Sequence, residues 1–145
     1  MPTFKIFDIA SSGMTAQTVR LNLTASNLAN AETISSSINQ AYRSRQPVFA
    51  AQLHDALGKR MDAGRRDEAV GVRVTAVVES QTPLRAEYSP AHPLADKNGY
   101  IFRPNVNPIE ELTNMMSASR SYQDNTEVVN TAKQLMLQTL RMGQG

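Results

Sequence analysis

Residues 107–142 read NPIEELTNMMSASRSYQDNTEVVNTAKQLMLQTLRM, and this stretch decides the architecture. Asn107 is placed to cap a helix, and Pro108 fits the first helical position, where a missing N–H costs nothing. Glu110 stands where a capping-box carboxylate reaches back. Apolar or small residues then recur at steps of three and four: Ile109, Leu112, Met116, Ser119, Tyr122, Thr126, Val129, Ala132, Met136 and Leu140. The period predicts one uninterrupted helix. Gly143 supplies its stop, and Lys133 and Arg141 fall in the half where cations suit the helix dipole.

At about 1.5 Å per residue this helix is roughly 50 Å long. A sphere holding a chain of this length would be only about 38 Å across, so the helix is expected to project beyond any globular body. Its stripe is weak in the middle, where Ser117, Ser119, Ser121, Gln123 and Asn125 replace large apolar groups. A seam gapped in this way pairs loosely when alone.

A second helical run covers residues 4–30. Phe7, Ala10, Met14, Gln17, Leu21, Thr24 and Leu28 alternate steps of three and four, a heptad seam about three repeats long. Ile9, Ala16 and Leu23 form another apolar line on an adjacent flank, which calls for more than one neighbour. The same residues would serve an amphipathic helix packed on its own domain, and spacing alone leaves both readings open. Asn30 suits the helix end, because asparagine tolerates the left-handed conformation.

Between the helices the pattern changes. ETISSSINQ (32–40) is a polar loop, and in the following run, from Tyr42 to Met61, two forms compete. Tyr42, Val48 and Phe49 suit an extended segment around Pro47, while Phe49, Leu53, Leu57 and Met61 fit a short helix. After Gly71, Val72, Val74, Ala76 and Val78 alternate with Arg73, Thr75 and Val77, which predicts a strand. LRAEY and YIF read as two further short strands around a Pro-rich loop, so one small sheet is expected between the long helices.

Composition narrows the function classes. The chain has 145 residues, 41% of them hydrophobic, and a net charge of +2, with a local basic surplus at Arg43, Arg45, Lys59, Arg60, Arg65 and Arg66. That segment lacks interleaved aromatics beyond Tyr42 and Phe49, so a solvated or partner-facing surface is expected rather than nucleic-acid binding. Neither a membrane span nor a cleaved signal is expected, since MPTFKIFDIASSG has no long apolar core and carries Asp8. Absence of cysteine excludes disulfides and thiol-based metal or redox chemistry. His54 and His92 have no metal-ligand spacing, and DKNG (96–99) lacks the later ligands of a calcium loop and reads as a turn. With no nucleotide or nucleophile motif either, no enzymatic activity, cofactor, metal or small-molecule substrate is expected.

SNLANAET (26–33), with the motif Asn27, Leu28, Ala29 and Asn30, together with residues 104–144, resembles the bacterial flagellar axial rod and hook family. NVNPIEELTNMMSASRSYQ (105–123) with NTAKQLML (130–137), and also YRSRQPVFAAQL (42–53) and KNGY (97–100), is similar to its proximal-rod members. The resemblance implies an α+β fold in which the long N- and C-terminal helices pair as an antiparallel coiled coil, with a small β-rich domain inserted. On that basis the expected division is 1–32, an N-terminal axial helix; 33–104, loop and inserted domain; and 105–145, a C-terminal axial helix.

The family further implies a structural subunit of the proximal rod, a part of the drive shaft that passes torque from motor to hook and filament. It would stack with copies of itself and other rod proteins around the export channel, in a rod crossing the periplasm, after export by the flagellar type III apparatus without a cleaved signal. The expected packing seam is Phe7, Ala10, Met14, Leu21 and Leu28 against Ile109, Leu112, Met116, Tyr122, Val129, Ala132, Met136 and Leu140. The competing reading of two capped helices is a cytoplasmic coiled-coil adaptor or export chaperone.

Overall fold

The structure, a computed structural model, describes residues 2–53 and 69–143. In chain order it contains α1 (Pro2–Asn30), β1 (Arg45–Leu53), β2 (Ala69–Glu79), β3 (Arg85–Tyr88), β4 (Tyr100–Arg103) and α2 (Pro108–Gly143). Two long helices with antiparallel strand pairs between them make an α+β fold. His54, the short-helix positions Leu57 and Met61, and the basic cluster at Lys59, Arg60, Arg65 and Arg66 lie outside the described residues.

Both helix ends follow from local chemistry. Asn107 caps α2: its Oδ1 accepts from the Ile109 N–H at 3.2 Å and its carbonyl from the Glu111 N–H at 3.0 Å. Asn30 closes α1, but not through the left-handed conformation, because no described non-glycine residue has positive φ. Instead its Nδ2 donates back to the Ser26 carbonyl at 2.8 Å, and its own carbonyl accepts from the Thr33 hydroxyl at 2.8 Å. A side-chain bond replaces the backbone excursion.

The expected single sheet is in fact two separate antiparallel pairs, β1 with β2 and β3 with β4. The run from Arg45 to Leu53, open between two forms in the sequence, is extended, and it takes up β2 along the register Arg45↔Glu79 to Leu53↔Ala69. Pro47 is tolerated because each strand of a two-stranded sheet has an edge where a missing N–H costs nothing. The smaller hairpin turns at Asp96, whose Oδ1 accepts from the Asn98 and Tyr100 N–H groups at 2.8 Å each, while Gly99 adopts φ +82°. This is the turn expected for DKNG. Ser35 extends the pair through two 3.0 Å backbone bonds with Phe102.

The helices run antiparallel. Gly13 faces Asn125, the Thr126 hydroxyl contacts Met14 Sδ at 3.5 Å, and Arg20 donates to Asn114 Oδ1 at 3.2 Å. Apart from Asn27 and Glu111, the positions buried between them are small: Ala10 and Thr24 on α1, Ala118 and Ala132 on α2. The adjacent flank of α1 meets the long hairpin, where Ser12 Oγ accepts from the Val72 N–H at 3.0 Å and Ala16 is buried. An added Cβ at Gly71 would collide with Ser12 Oγ, so glycine is what lets β2 come this close. The two apolar flanks of α1 thus have two different neighbours.

Candidate functional site: the helix faces and the root of the long hairpin

The apolar line drawn along α2 divides between two faces. From Ile109 to Leu140 it takes five steps of three and four steps of four. At 3.6 residues per turn a step of three lags by about 60° and one of four leads by about 40°, so the line winds through about 140°. Its later members Val129, Ala132 and Met136 are buried or half-buried, on the side that carries Glu111 and Ala118. Its first members point away: Ile109 is 76% exposed, Met116 74%, and Leu112 is exposed as well. Tyr122 and Leu140 are also exposed. On α1, Ala10 is buried, Phe7, Met14, Leu21 and Leu28 are half-buried, and Ile6 and Ile9 are exposed. The chain therefore brings together one half of the expected seam and leaves the other half uncovered.

At the opposite extreme is a polar node where the long hairpin springs from the helices. Asn27, only 1% exposed, uses both ends of its carboxamide. Oδ1 accepts from the Arg45 N–H and the Tyr42 hydroxyl at 2.9 Å each. Nδ2 donates to the Arg45 carbonyl at 2.9 Å and to Ser44 Oγ at 3.3 Å. From the other side Asn105 Oδ1 accepts from the Ser44 N–H at 2.8 Å, and its Nδ2 donates to the carbonyls of Thr82 at 2.8 Å and Ser80 at 3.3 Å. The Ser80 N–H in turn donates to the Ser44 carbonyl at 2.8 Å. Within the same motif Leu28 is half-buried, Ala29 exposed and Asn30 half-buried.

Glu111 completes the node from α2. It is 5% exposed, and burial pushes its carboxyl above the ordinary range. Glu110 beside it pushes the same way, whereas the polar groups of Asn27 and Ser44 and the Arg20 guanidinium favour the charged form. A cleft of about 290 Å³ opens here, lined by Ser44, Ser80, Asn105, Asn107, Glu110 and Glu111 among others. Nearby the Arg45 guanidinium lies 5.5 Å from the Tyr42 ring centroid and pairs with Glu79 at 3.2 Å, an exposed and hence weak contact. Arg103 pairs across the small hairpin with Glu87 at 2.7 Å and reaches Glu32, just beyond α1, at 3.1 Å.

Chemically this arrangement positions elements. His92 is occupied locally, its Nδ1 accepting from the Leu94 N–H at 3.1 Å, and no group of three His, Asp or Glu among the described residues could hold a metal ion. Asn105, Ser44 and Glu111 escaped the sequence reading, which searched for large apolar groups and catalytic motifs. The available signal was PNVNP (104–108), two amides held between two prolines just before a helix.

Comparison with known proteins assigns the lineage. The family model described as "Flagella basal body rod protein" matches residues 7–34, and that described as "Flagellar basal body rod FlgEFG protein C-terminal" matches residues 97–142. The chain is similar to the flagellar basal-body rod proteins FlgC of Salmonella typhimurium, 48% identical over 144 residues, and of Escherichia coli O157:H7, 49% identical over 144 residues. Each alignment covers 99% of this chain and 100% of the relative. The FlgC protein of Borreliella burgdorferi is 35% identical over 155 residues, covering all of both chains. Identity of this order along the full length, with both axial helices matched, means that the chain belongs to the FlgC family of flagellar basal-body rod proteins.

Proposed function

We propose that this chain is a structural subunit of the proximal rod, whose helices pack with copies of itself and with other rod proteins in a helical tube around the export channel. The observation that carries this is how α2 divides its apolar groups: on the face toward α1 the fully buried ones are only Ala118 and Ala132, with Val129 and Met136 half-buried, while Ile109, Leu112 and Met116 stand in solvent on the other. A large apolar side chain gains about 1.5–3 kcal/mol on burial. Ordering each residue costs about 1–2 kcal/mol, so a pair whose fully buried apolar groups are alanines and whose larger ones are only half-covered is marginal, and neighbouring subunits supply the missing burial. The coiled-coil seam of Phe7, Met14, Leu21 and Leu28 with Tyr122, Val129, Met136 and Leu140 is completed in that assembly.

Torque then passes through a continuous packed wall and needs no reactive group, cofactor, small-molecule substrate or nucleic acid. No described helix is long and apolar enough to cross a membrane. On this reading the subunit leaves the cell through the flagellar type III apparatus without a cleaved signal and takes its place in the rod across the periplasm. Purified basal bodies should contain the chain in stoichiometric amount with other rod proteins. Recovery from the cytosol alone would favour the adaptor or chaperone reading instead.

A further inference from the structure

We propose that Asn27 and Asn105 form a carboxamide clamp that sets the angle at which the β1–β2 hairpin leaves the helix pair, making them positioning residues for the subunit's fit among its neighbours. The hairpin has two open ends at its root, residues 44–45 entering β1 and residues 80–82 leaving β2. Asn27 holds the entering side, and Asn105 bridges the entering side to the leaving one. Asn27, fixed on α1, pairs with Arg45 as a second peptide strand would, accepting from its N–H and donating to its carbonyl at 2.9 Å in both cases. Asn105, three residues before α2, accepts from the Ser44 N–H at 2.8 Å and donates to the Ser80 and Thr82 carbonyls at 3.3 and 2.8 Å. The hairpin root is thereby bonded to both helices at once.

The chemistry asks for an amide in particular. A bare two-stranded hairpin is marginal, so its direction depends on what grips it: the clamp at its root and, farther along α1, the Ser12 hydroxyl that accepts from the Val72 N–H. A carboxamide offers a donor and an acceptor in one plane and carries no charge, whereas a carboxylate of the same shape only accepts. Aspartate at position 27 would turn an oxygen toward the Arg45 carbonyl and Ser44 Oγ, and a buried acceptor facing a carbonyl repels it. Protonated aspartic acid regains one donor and restores the bidentate pairing. The charged or titratable groups around this position are Glu111 from α2, whose own charge Arg20 on α1 favours, and Tyr42 and Arg45 at the strand entry.

The test uses the whole purified chain, which has no cysteine, so that nitroxide labels can be placed at Ala76 on β2 and Gln123 on α2, both exposed. Distances between them are measured in the parent chain, Asn27→Asp and Asn27→Leu. The parent gives one narrow distribution at neutral and acid pH. Asn27→Asp gives a broad or displaced distribution at neutral pH that narrows to the parent's as pH falls, with a midpoint above the ordinary aspartate value of about 3.9 because the group is buried beside another acid. Asn27→Leu stays broad at both. In the same samples the Arg45 amide of Asn27→Leu exchanges at least about tenfold faster than in the parent, while amides in the middle of β1 change less.

An Asn27→Asp chain with the parent's distribution at neutral pH, or with the same broadening at both pH values, overturns the proposal. Should its helical circular dichroism be lost, Asn105→Asp, at a half-buried site, is measured in the same way. Collapse of the helices in both variants would mean that these amides hold the fold as a whole, and the positioning role would be refuted. The distances are read on the solitary subunit, so their outcome is independent of whether the chain is a rod component.

Discussion

The two faces of α2 are built from opposite materials. Toward α1 its buried residues are Glu111, Ala118 and Ala132, with Val129 and Met136 half-buried beside them, and away from it stand Ile109, Leu112 and Met116, all exposed. An ordinary amphipathic helix does the reverse, because its own core rewards large apolar groups. Small residues on the closed face let the helix axes approach and carry little burial energy of their own, while the open face holds burial energy that the chain alone cannot collect. The difference separates what shapes the subunit from what joins subunits.

Met116→Lys tests the open face and should have the largest effect. The side chain is exposed in the solitary chain, so the unfolding free energy of the monomer in urea should change by less than about 0.5 kcal/mol. In the assembled rod the charge would be buried, at a cost of several kcal/mol, and a strain carrying this variant should lose motility. Normal swimming would remove this face from the interface and throw the load onto the α1 seam at Leu21, where Leu21→Lys is the matching variant.

Ala118→Leu tests the closed face. Its side chain is 0% exposed, and the added methylenes must force the helices apart, at a cost of about 1–3 kcal/mol by urea denaturation of the monomer. A loss under about 0.5 kcal/mol would mean that the helices are not held at the spacing described.

Glu111 is the polar exception on that closed face, and its titration should be visible. Burial holds its folded pKa above the ordinary 4.5, so between that value and the raised one the folded chain binds more protons than the unfolded chain. Stability is then fully present below the ordinary value and falls as pH rises through the window up to the raised value. Glu111→Gln should flatten this slope in urea titrations across the acid range. An unchanged slope would assign the dependence to other groups.

The smallest effect is expected at Gly13→Ala. Alanine improves a helix interior by about 0.8–1 kcal/mol. Its Cβ, however, would lie 3.0–3.2 Å from the Asn125 carboxamide, which must turn and give up its 2.9 Å bond to the Ser121 carbonyl. The two should cancel to within about 1 kcal/mol in the unfolding free energy read from thermal denaturation. A larger loss would show that the close crossing at Gly13 is rigid.

Both long helices, the cap at Asn107, the place though not the manner of the end at Asn30, the β2 strand and the DKNG turn were legible from the sequence alone. Each rests on interactions between residues a few positions apart, and such terms are written in local order. The same locality made SNLANAET and the C-terminal helix recognisable as flagellar axial sequence, an identity confirmed by full-length relatives.

What only the tertiary structure decided depends on partners far along the chain. The Arg45–Leu53 run could not choose between strand and helix until β2 offered it a ladder, and the strands form two pairs where a single sheet was expected. The apolar line on α2 divided because α1 covers a fixed angular sector while the line winds around the axis. Asn105 and Glu111 gained their roles from groups more than twenty positions away, at Thr82, Ser80 and Ser44 for the first and at Asn27 for the second. A side-chain amide has no periodicity to betray it. Its worth lies in the direction of two atoms toward a distant backbone, and only the folded chain sets that direction.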